Sequence, residues 1–201
     1  MIARPDQRGL FEVASGQLGY FTARQAAEQG FGTDDTAYHA RQGRFIRELP
    51  GVYRLREYPD SPHGYVMAAW LAAGKDRSVV SHESALDLLD LSTVIPDAVH
   101  ITVPRSRRNL PQLRGVRIHT TTRPIGRQDT VVREGIRVTS PVRTILDSAE
   151  TYVGPDQIEM AVWQALRRGT ALPEEFREAA SWRSKRVAAV IDRALAGATG
   201  A

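Results

Sequence analysis

Residues 22–55, TARQAAEQGFGTDDTAYHARQGRFIRELPGVYRL, decide the fold of the first part of the chain. Thr22-Ala23-Arg24-Gln25 is a capping box, in which a hydroxyl and an amide satisfy backbone N–H groups where a helix begins. Thr33 is expected to cap the next helix. Pro50-Gly51 then predicts a tight turn between two short strands. With a short helix before it, this order predicts a winged helix-turn-helix domain over residues 1–58.

Residues 59–201 have a different pattern. Apolar residues alternate with period two in several segments between about 98 and 138, and this predicts the strands of a small sheet. Helical spacing resumes after Ser140-Pro141, where serine can cap a helix and proline can open it, and predicts helices over 141–196. The predicted fold class is therefore α+β: an N-terminal winged helix-turn-helix followed by a mixed α/β domain with a helical tail.

Composition excludes several classes of protein. The chain has 201 residues and no cysteine, so disulfides, thiolate catalysis and cysteine-ligated zinc are impossible. Charged residues interrupt the N-terminus where a signal peptide needs an apolar stretch, and the longest apolar run, 65–73, is too short to span a bilayer. These features predict a cytoplasmic protein without a membrane partner, and we expect a monomer in solution.

The distribution of charge is more informative than the net charge of +4. Residues 41–56 contain five arginines and one acid, Glu48. Residues 98–128 contain seven arginines and no carboxylate. Such uncompensated cationic segments are typical of surfaces that bind nucleic acid or an acidic protein, although a basic face can also simply be solvated.

In a winged helix-turn-helix the third helix enters the major groove and the wing follows the phosphate backbone. If Thr36, Ala37 and Ala40 face inward, the other side of the helix faces DNA. Asp34 and Asp35 oppose close contact with phosphate at the helix start. The same helices could instead form a protein-interaction domain. The predicted DNA-binding residues are Thr33, Asp35, Tyr38, His39, Arg41, Gln42, Arg44, Arg47 and Arg54.

The second arginine-rich segment has three interpretations that the sequence does not separate. Its arginines could contact DNA, dock an acidic protein partner, or remain solvated in a loop between strands. The candidate DNA or toxin contacts are Arg105, Arg107, Arg108, Arg114 and Arg117.

No catalytic motif is present. There is no Gly-x-Ser-x-Gly elbow, Ser-x-x-Lys pair, phosphate-binding glycine loop or dinucleotide fingerprint. The histidines lack helical metal-ligand spacing. His100 and His119 fall in neighbouring predicted strands, where a ligand pair is conceivable but a packed role is the stronger expectation. The sequence therefore predicts no enzyme activity, no metal and no cofactor.

Several ordered motifs resemble AbiEi-type antitoxins of type IV toxin–antitoxin systems. In the first domain they are YFTARQA at 20–26, YHARQGRF at 38–45 and PGVYRL at 50–55. In the second domain they are SHESAL at 81–86, PDAVHITVP at 96–104 and VTSPVRTILD at 138–147.

The resemblance implies an antitoxin with two partners: double-stranded DNA carrying the inverted repeats of its own promoter, and a cognate nucleotidyltransferase toxin. Such a protein represses its own operon and counteracts the toxin. The alternative is a protein-interaction antitoxin module that neutralises the toxin without sequence-specific DNA binding.

Overall fold

The computed structural model describes residues 5–199, which form a mixed α and β fold with two separate sheets. The α+β class predicted from the sequence is confirmed. The chain divides into two compact units. Within the described residues, the first comprises 5–78 together with 109–114 and 134–136, so it extends beyond the expected boundary at residue 58. Within the described residues, the second comprises 79–108, 115–133 and 137–199.

The first unit contains four α-helices and a three-stranded antiparallel sheet with strand order β1-β3-β2 within the described residues. Strand β1 was not predicted, because three residues are too few to show alternation. The elements are α1 Gln7–Ser15, β1 Tyr20–Thr22, α2 Ala23–Glu28, α3 Thr33–Arg41, β2 Phe45–Leu49, β3 Val52–Leu55, α4 Gly64–Ala73 and a 3-10 turn at Lys75–Arg77.

The start of α2 forms as predicted. The Gln25 N–H donates to Thr22 Oγ1 at 3.1 Å, and the Thr22 N–H donates to Gln25 Oε1 at 2.9 Å, which completes the capping box. The prediction that Thr33 caps α3 is wrong, because Thr33 is already the first helical residue and Gly32 precedes it. The Gly32 N–H donates to the Asp35 carboxylate at 3.0 Å instead.

An aromatic cluster holds the helices of the first unit on its sheet. Phe21 is fully buried, with its ring edge-on to Phe45 at 4.9 Å and stacked on Tyr53 at 5.9 Å between centroids. Phe31 also packs against Phe45, with 5.9 Å between the ring centroids. Leu10, Ala14 and Ala26 complete the buried cluster.

The second unit has a mixed sheet with strand order β6-β5-β4-β8-β7. Strand β5 is parallel to β6 and antiparallel to β4, and β4 is parallel to β8. Helix α6 begins at Pro141 after Ser140, as predicted. The two-residue strand β4 was not predicted. The elements are β4 Val79–Val80, α5 His82–Leu88, β5 Val99–Pro104, a 3-10 turn at Arg105–Arg107, β6 Val116–Thr121, β7 Thr130–Arg133, β8 Ile136–Thr139, α6 Pro141–Glu150, α7 Pro155–Arg167, α8 Pro173–Ala180 and α9 Lys185–Thr199.

The helices after the sheet form a second apolar layer. Ile145 and Leu146 of α6 are fully buried, as are Ile158 of α7, Phe176 of α8 and Val187 of α9. Among the described residues, no helix is both long enough and apolar enough to cross a membrane.

Candidate nucleic-acid interface

The buried side of α3 differs from the expected one. Thr36 is buried and Ala40 packs against the aromatic cluster, as predicted, but Ala37 is exposed. His39 lies on the inner side instead, with its ring 5.6 Å from that of Phe31 and 4.9 Å from that of Phe45. The predicted base-reading role of His39 is therefore not supported, because its imidazole belongs to the packing of the unit.

The outer side of α3 carries polar and cationic side chains. Tyr38 is 51% exposed, and Asp35 already accepts from the Gly32 N–H at the helix start. Of the predicted DNA-binding residues, those that are exposed on α3 or directly after it are Thr33, Asp35, Tyr38, Arg41, Gln42 and Arg44. Arg47 is the exposed residue of strand β2.

Arg54 does not belong to this exposed set. Its side chain is only 14% exposed, and its guanidinium lies 2.5 Å from the Asp60 carboxylate and 3.6 Å from that of Glu48. It also donates to the backbone carbonyl of Tyr58 at 3.3 Å. Two carboxylates already neutralise this charge, so the prediction that Arg54 meets phosphate is corrected to a structural role.

The other three arginines of the predicted DNA-binding set are not neutralised by ion pairs within the described residues. Among the ion pairs of the described residues, none includes Arg41, Arg44 or Arg47. A guanidinium presents a rigid fork of N–H donors that matches phosphate and the edge of guanine. We define the α3–hairpin face as Tyr38, Arg41, Gln42, Arg44 and Arg47.

The second arginine-rich segment does not form one group. Arg105 and Arg108 are exposed, Arg107 is half-buried, and a 3-10 turn replaces part of the expected loop. Arg117 donates to the Asp97 carboxylate at 3.3 Å, so its charge is paired. Arg114 is exposed and lies in the 109–114 segment of the first unit.

Three histidines of the second unit come together, which the sequence did not predict. We call His82, His100 and His119 the histidine cluster. His100 is fully buried on β5, and its Nδ1 lies 3.3 Å from His119 Nε2 on β6. His82 begins α5, and its ring stacks on that of His119 at 3.7 Å between centroids. One ring nitrogen from each of the three lies within 4.8 Å of the others.

The environment keeps these imidazoles neutral. Burial lowers the pKa of His82 to about 2, with further contributions from His119, His100 and two arginines. Burial also lowers the pKa of His119 to about 4, and it lowers the pKa of His100. Uncharged imidazoles have a free lone pair, which is the form that binds metal ions. The expectation that His100 and His119 are packed agrees with the burial of His100 and the half-burial of His119. The sequence did not place His82 beside them.

Comparisons with known proteins give a fold but no family. No protein-family model matches the sequence, and no curated protein matches it. Among solved structures, the fold is similar to the crystal structure of the RV2827C protein from Mycobacterium tuberculosis, with a TM-score of 0.63 and 14% sequence identity. The alignment covers 98% of this chain and 79% of that chain. At this identity the likeness concerns the fold alone.

Proposed function

We propose that the first unit is a winged helix-turn-helix that binds double-stranded DNA. In this proposal α2 and α3 form the helix-turn-helix, α3 is the recognition helix, and the β2–β3 hairpin is the wing. The element order and the antiparallel sheet support it, since this is the arrangement that places one helix in the major groove with a hairpin beside it.

The α3–hairpin face is the observation that carries the proposal. Arg41, Arg44 and Arg47 are exposed and have no carboxylate partner among the described ion pairs. Phosphate contacts give most of the affinity for DNA, and such contacts require cations that internal ion pairs have not already neutralised. Tyr38 and Gln42 supply side chains that can donate to base edges or accept from them.

We further propose that the whole chain is an AbiEi-type antitoxin that represses its own operon and counteracts a cognate nucleotidyltransferase toxin. The six motifs that resemble this family support the proposal, and they lie in both units. The role requires two surfaces, one for promoter DNA and one for the toxin. The protein acts in the cytoplasm and without enzymatic activity of its own.

DNA binding is tested by fluorescence anisotropy with the chain's own upstream promoter DNA, titrated with salt. We expect log K to fall linearly with log salt concentration, and Arg44→Ala/Arg47→Ala to make the slope less steep by about 1.8, at roughly 0.9 per phosphate contact. The matched control is Arg177→Ala/Arg193→Ala, which removes two exposed arginines from α8 and α9. The control and the test variant therefore have the same net charge. Equal effects of the two pairs, or no binding at low salt, would contradict the proposal.

The second candidate function is toxin neutralisation without sequence-specific DNA binding. The exposure of Arg105 and Arg108, which no described ion pair includes, favours an acidic protein partner for the second unit. Arg105→Glu/Arg108→Glu should then slow association with the toxin at low salt, and deletion of residues 1–58 should leave neutralisation intact. A parallel loss of promoter affinity would assign these arginines to DNA instead.

A further inference from the structure

We propose that the histidine cluster is a Zn²⁺ site, in which His82 Nε2, His100 Nδ1 and His119 Nε2 bind the metal ion. The inference concerns the second unit alone and does not depend on DNA binding. Imidazole nitrogen is a preferred zinc ligand, and the chain offers no cysteine as an alternative.

The spacing of the nitrogens fits zinc. Tetrahedral Zn²⁺ with bonds of 2.0 to 2.1 Å requires its ligand nitrogens to lie about 3.3 Å apart. His100 Nδ1 and His119 Nε2 lie 3.3 Å apart. A ring nitrogen of His82 lies within 4.8 Å of a nitrogen of each of the other two histidines. Closing the set to the zinc spacing therefore needs a displacement on the order of 1.5 Å, together with a rotation of the His82 ring. In the metal-bound form the rings of His82 and His119 no longer stack, and one nitrogen of each points toward the same ion.

The outer nitrogen of His82 has a hydrogen-bond partner of the kind that orients histidine ligands in zinc sites. His82 Nδ1 lies 2.9 Å from Ser81 Oγ, which itself lies 2.8 Å from Thr102 Oγ1. With Nδ1 in this contact, Nε2 is the nitrogen of His82 that remains as a metal ligand. Such hydrogen bonds fix the tautomer and orientation of histidine ligands in known metal sites.

His100 supplies a second, independent observation. Its side chain is fully buried, yet its Nε2 has no hydrogen-bond partner, and an Asp97 carboxylate oxygen lies 3.8 Å away. A proton on Nε2 satisfies the attraction of this carboxylate and leaves a lone pair on Nδ1, which faces His119. Carboxylate–histidine–metal arrangements use the same tautomer.

Carboxylates offset part of the positive charge near the histidine cluster. Arg117 is paired with Asp97, Arg183 with Asp147, and Arg143 with both Asp147 and Asp129. The part of their charge that remains lowers the pKa values of His82 and His119 and opposes the metal ion in the same way. Three protein ligands leave the fourth zinc position for water or another ligand, as in open zinc sites.

Backbone geometry at His82 supports a role beyond packing. Its φ of +53° lies in the left-handed region, which few residues other than glycine adopt, although asparagine, aspartate and histidine do so more often than the rest. Strain of this kind is concentrated at functional sites. The conformation also makes His82→Asn a conservative test, because asparagine tolerates a positive φ. The substitution therefore removes the ring with little added backbone strain.

The test is a titration of the full chain, stripped with a chelator, with Co²⁺ and Zn²⁺. We expect one Co²⁺ per chain with the visible absorption of a four-coordinate nitrogen site, displacement by Zn²⁺, and a higher melting temperature with Zn²⁺. His82→Asn and His119→Gln should each lower affinity more than 100-fold, and Ser81→Ala should lower it about 10- to 100-fold. Circular dichroism checks that each variant folds, and the half-buried position of His119 favours folding of the second variant.

Two controls separate this site from its alternatives. His63→Asn removes a histidine of the first unit and should leave metal affinity unchanged. Glu83, Asp97 and His100 form another group of close ligand atoms, so Glu83→Gln should also leave affinity unchanged. The proposal is overturned if no saturable binding occurs, if folded His82→Asn and His119→Gln bind normally, or if Glu83→Gln abolishes binding.

Discussion

Asp147→Asn is expected to destabilise the second unit strongly. Asp147 lies on α6 with only 8% of its side chain exposed, and its two oxygens accept from different arginines. Arg143 Nε lies at 3.4 Å and Arg183 Nη2 at 2.5 Å. An amide keeps the shape of the side chain but removes the negative charge, which leaves Arg183 without a carboxylate partner among the described ion pairs.

The structure bounds the size of this effect. Removing one partner of a buried ion pair costs about 3 to 5 kcal/mol. Arg183 is 23% exposed, and Arg143 keeps a second carboxylate, Asp129, at 3.5 Å. Both features reduce the cost, so we expect a loss of about 2 to 3 kcal/mol. For a chain of this length that corresponds to a decrease in melting temperature of about 4 to 12 °C.

Thermal and urea unfolding followed by circular dichroism measure this loss. The control is Asp192→Asn, which removes an exposed carboxylate of α9 that no described ion pair includes. Adding Arg183→Met to Asp147→Asn should recover part of the stability, because it removes the unpaired charge. If Asp147→Asn and Asp192→Asn melt within about 1 °C of each other, a stabilising role for this ion-pair network is refuted.

Three further outcomes are expected. Phe21→Ala should lower the free energy of unfolding by about 3 to 5 kcal/mol in urea titrations, since it empties the aromatic cluster; a loss below about 1 kcal/mol contradicts this packing. Thr22→Ala should cost about 1 kcal/mol in the same assay and Thr22→Ser much less, because only the hydroxyl caps α2; equal losses contradict the cap. With a chelator present, the free energy of unfolding should be largest above pH 6.5 and should decrease as the pH falls toward 4. Over this range the unfolded chain takes up protons on His82 and His119, whereas in the folded protein burial lowers their pKa values to about 2 and about 4 and these side chains stay largely neutral. His119→Gln should make that decline less steep, by up to about 1.4 kcal/mol per pH unit, and an unchanged slope excludes His119 as the cause.

Local signals in the sequence predicted most elements. The capping box at Thr22 and the Ser140-Pro141 start of α6 depend on neighbouring residues, and alternation revealed the longer strands. Strands β1 and β4 have three and two residues, too few to alternate. They form because longer partners already present backbone groups to pair with, which is information outside the segment itself.

The candidate sites were harder to predict because they depend on packing and register. Ala37 lies on the outer side of α3 and His39 on the inner side, the reverse of the prediction, because the His39 ring packs beside Phe45 in the aromatic cluster. The histidine cluster depends on the parallel register that places Thr102 opposite His119. No local sequence pattern encodes that register. The position of His82 beside the other two histidines was not predicted either, because His82 follows strand β4, which is too short to recognise in the sequence.

The first unit is built from three separate stretches of the chain, so it cannot be completed until the last of them has been synthesised. Its segments 109–114 and 134–136 contribute the buried side chains of Leu113 and Ile136. A ribosome makes residues 1–78 well before these side chains, so apolar surface in the first unit stays uncovered until residue 136 has emerged. The late segments must also close long loops, which slows folding. A nascent chain arrested before residue 109 should therefore be more sensitive to protease than one arrested well after residue 136.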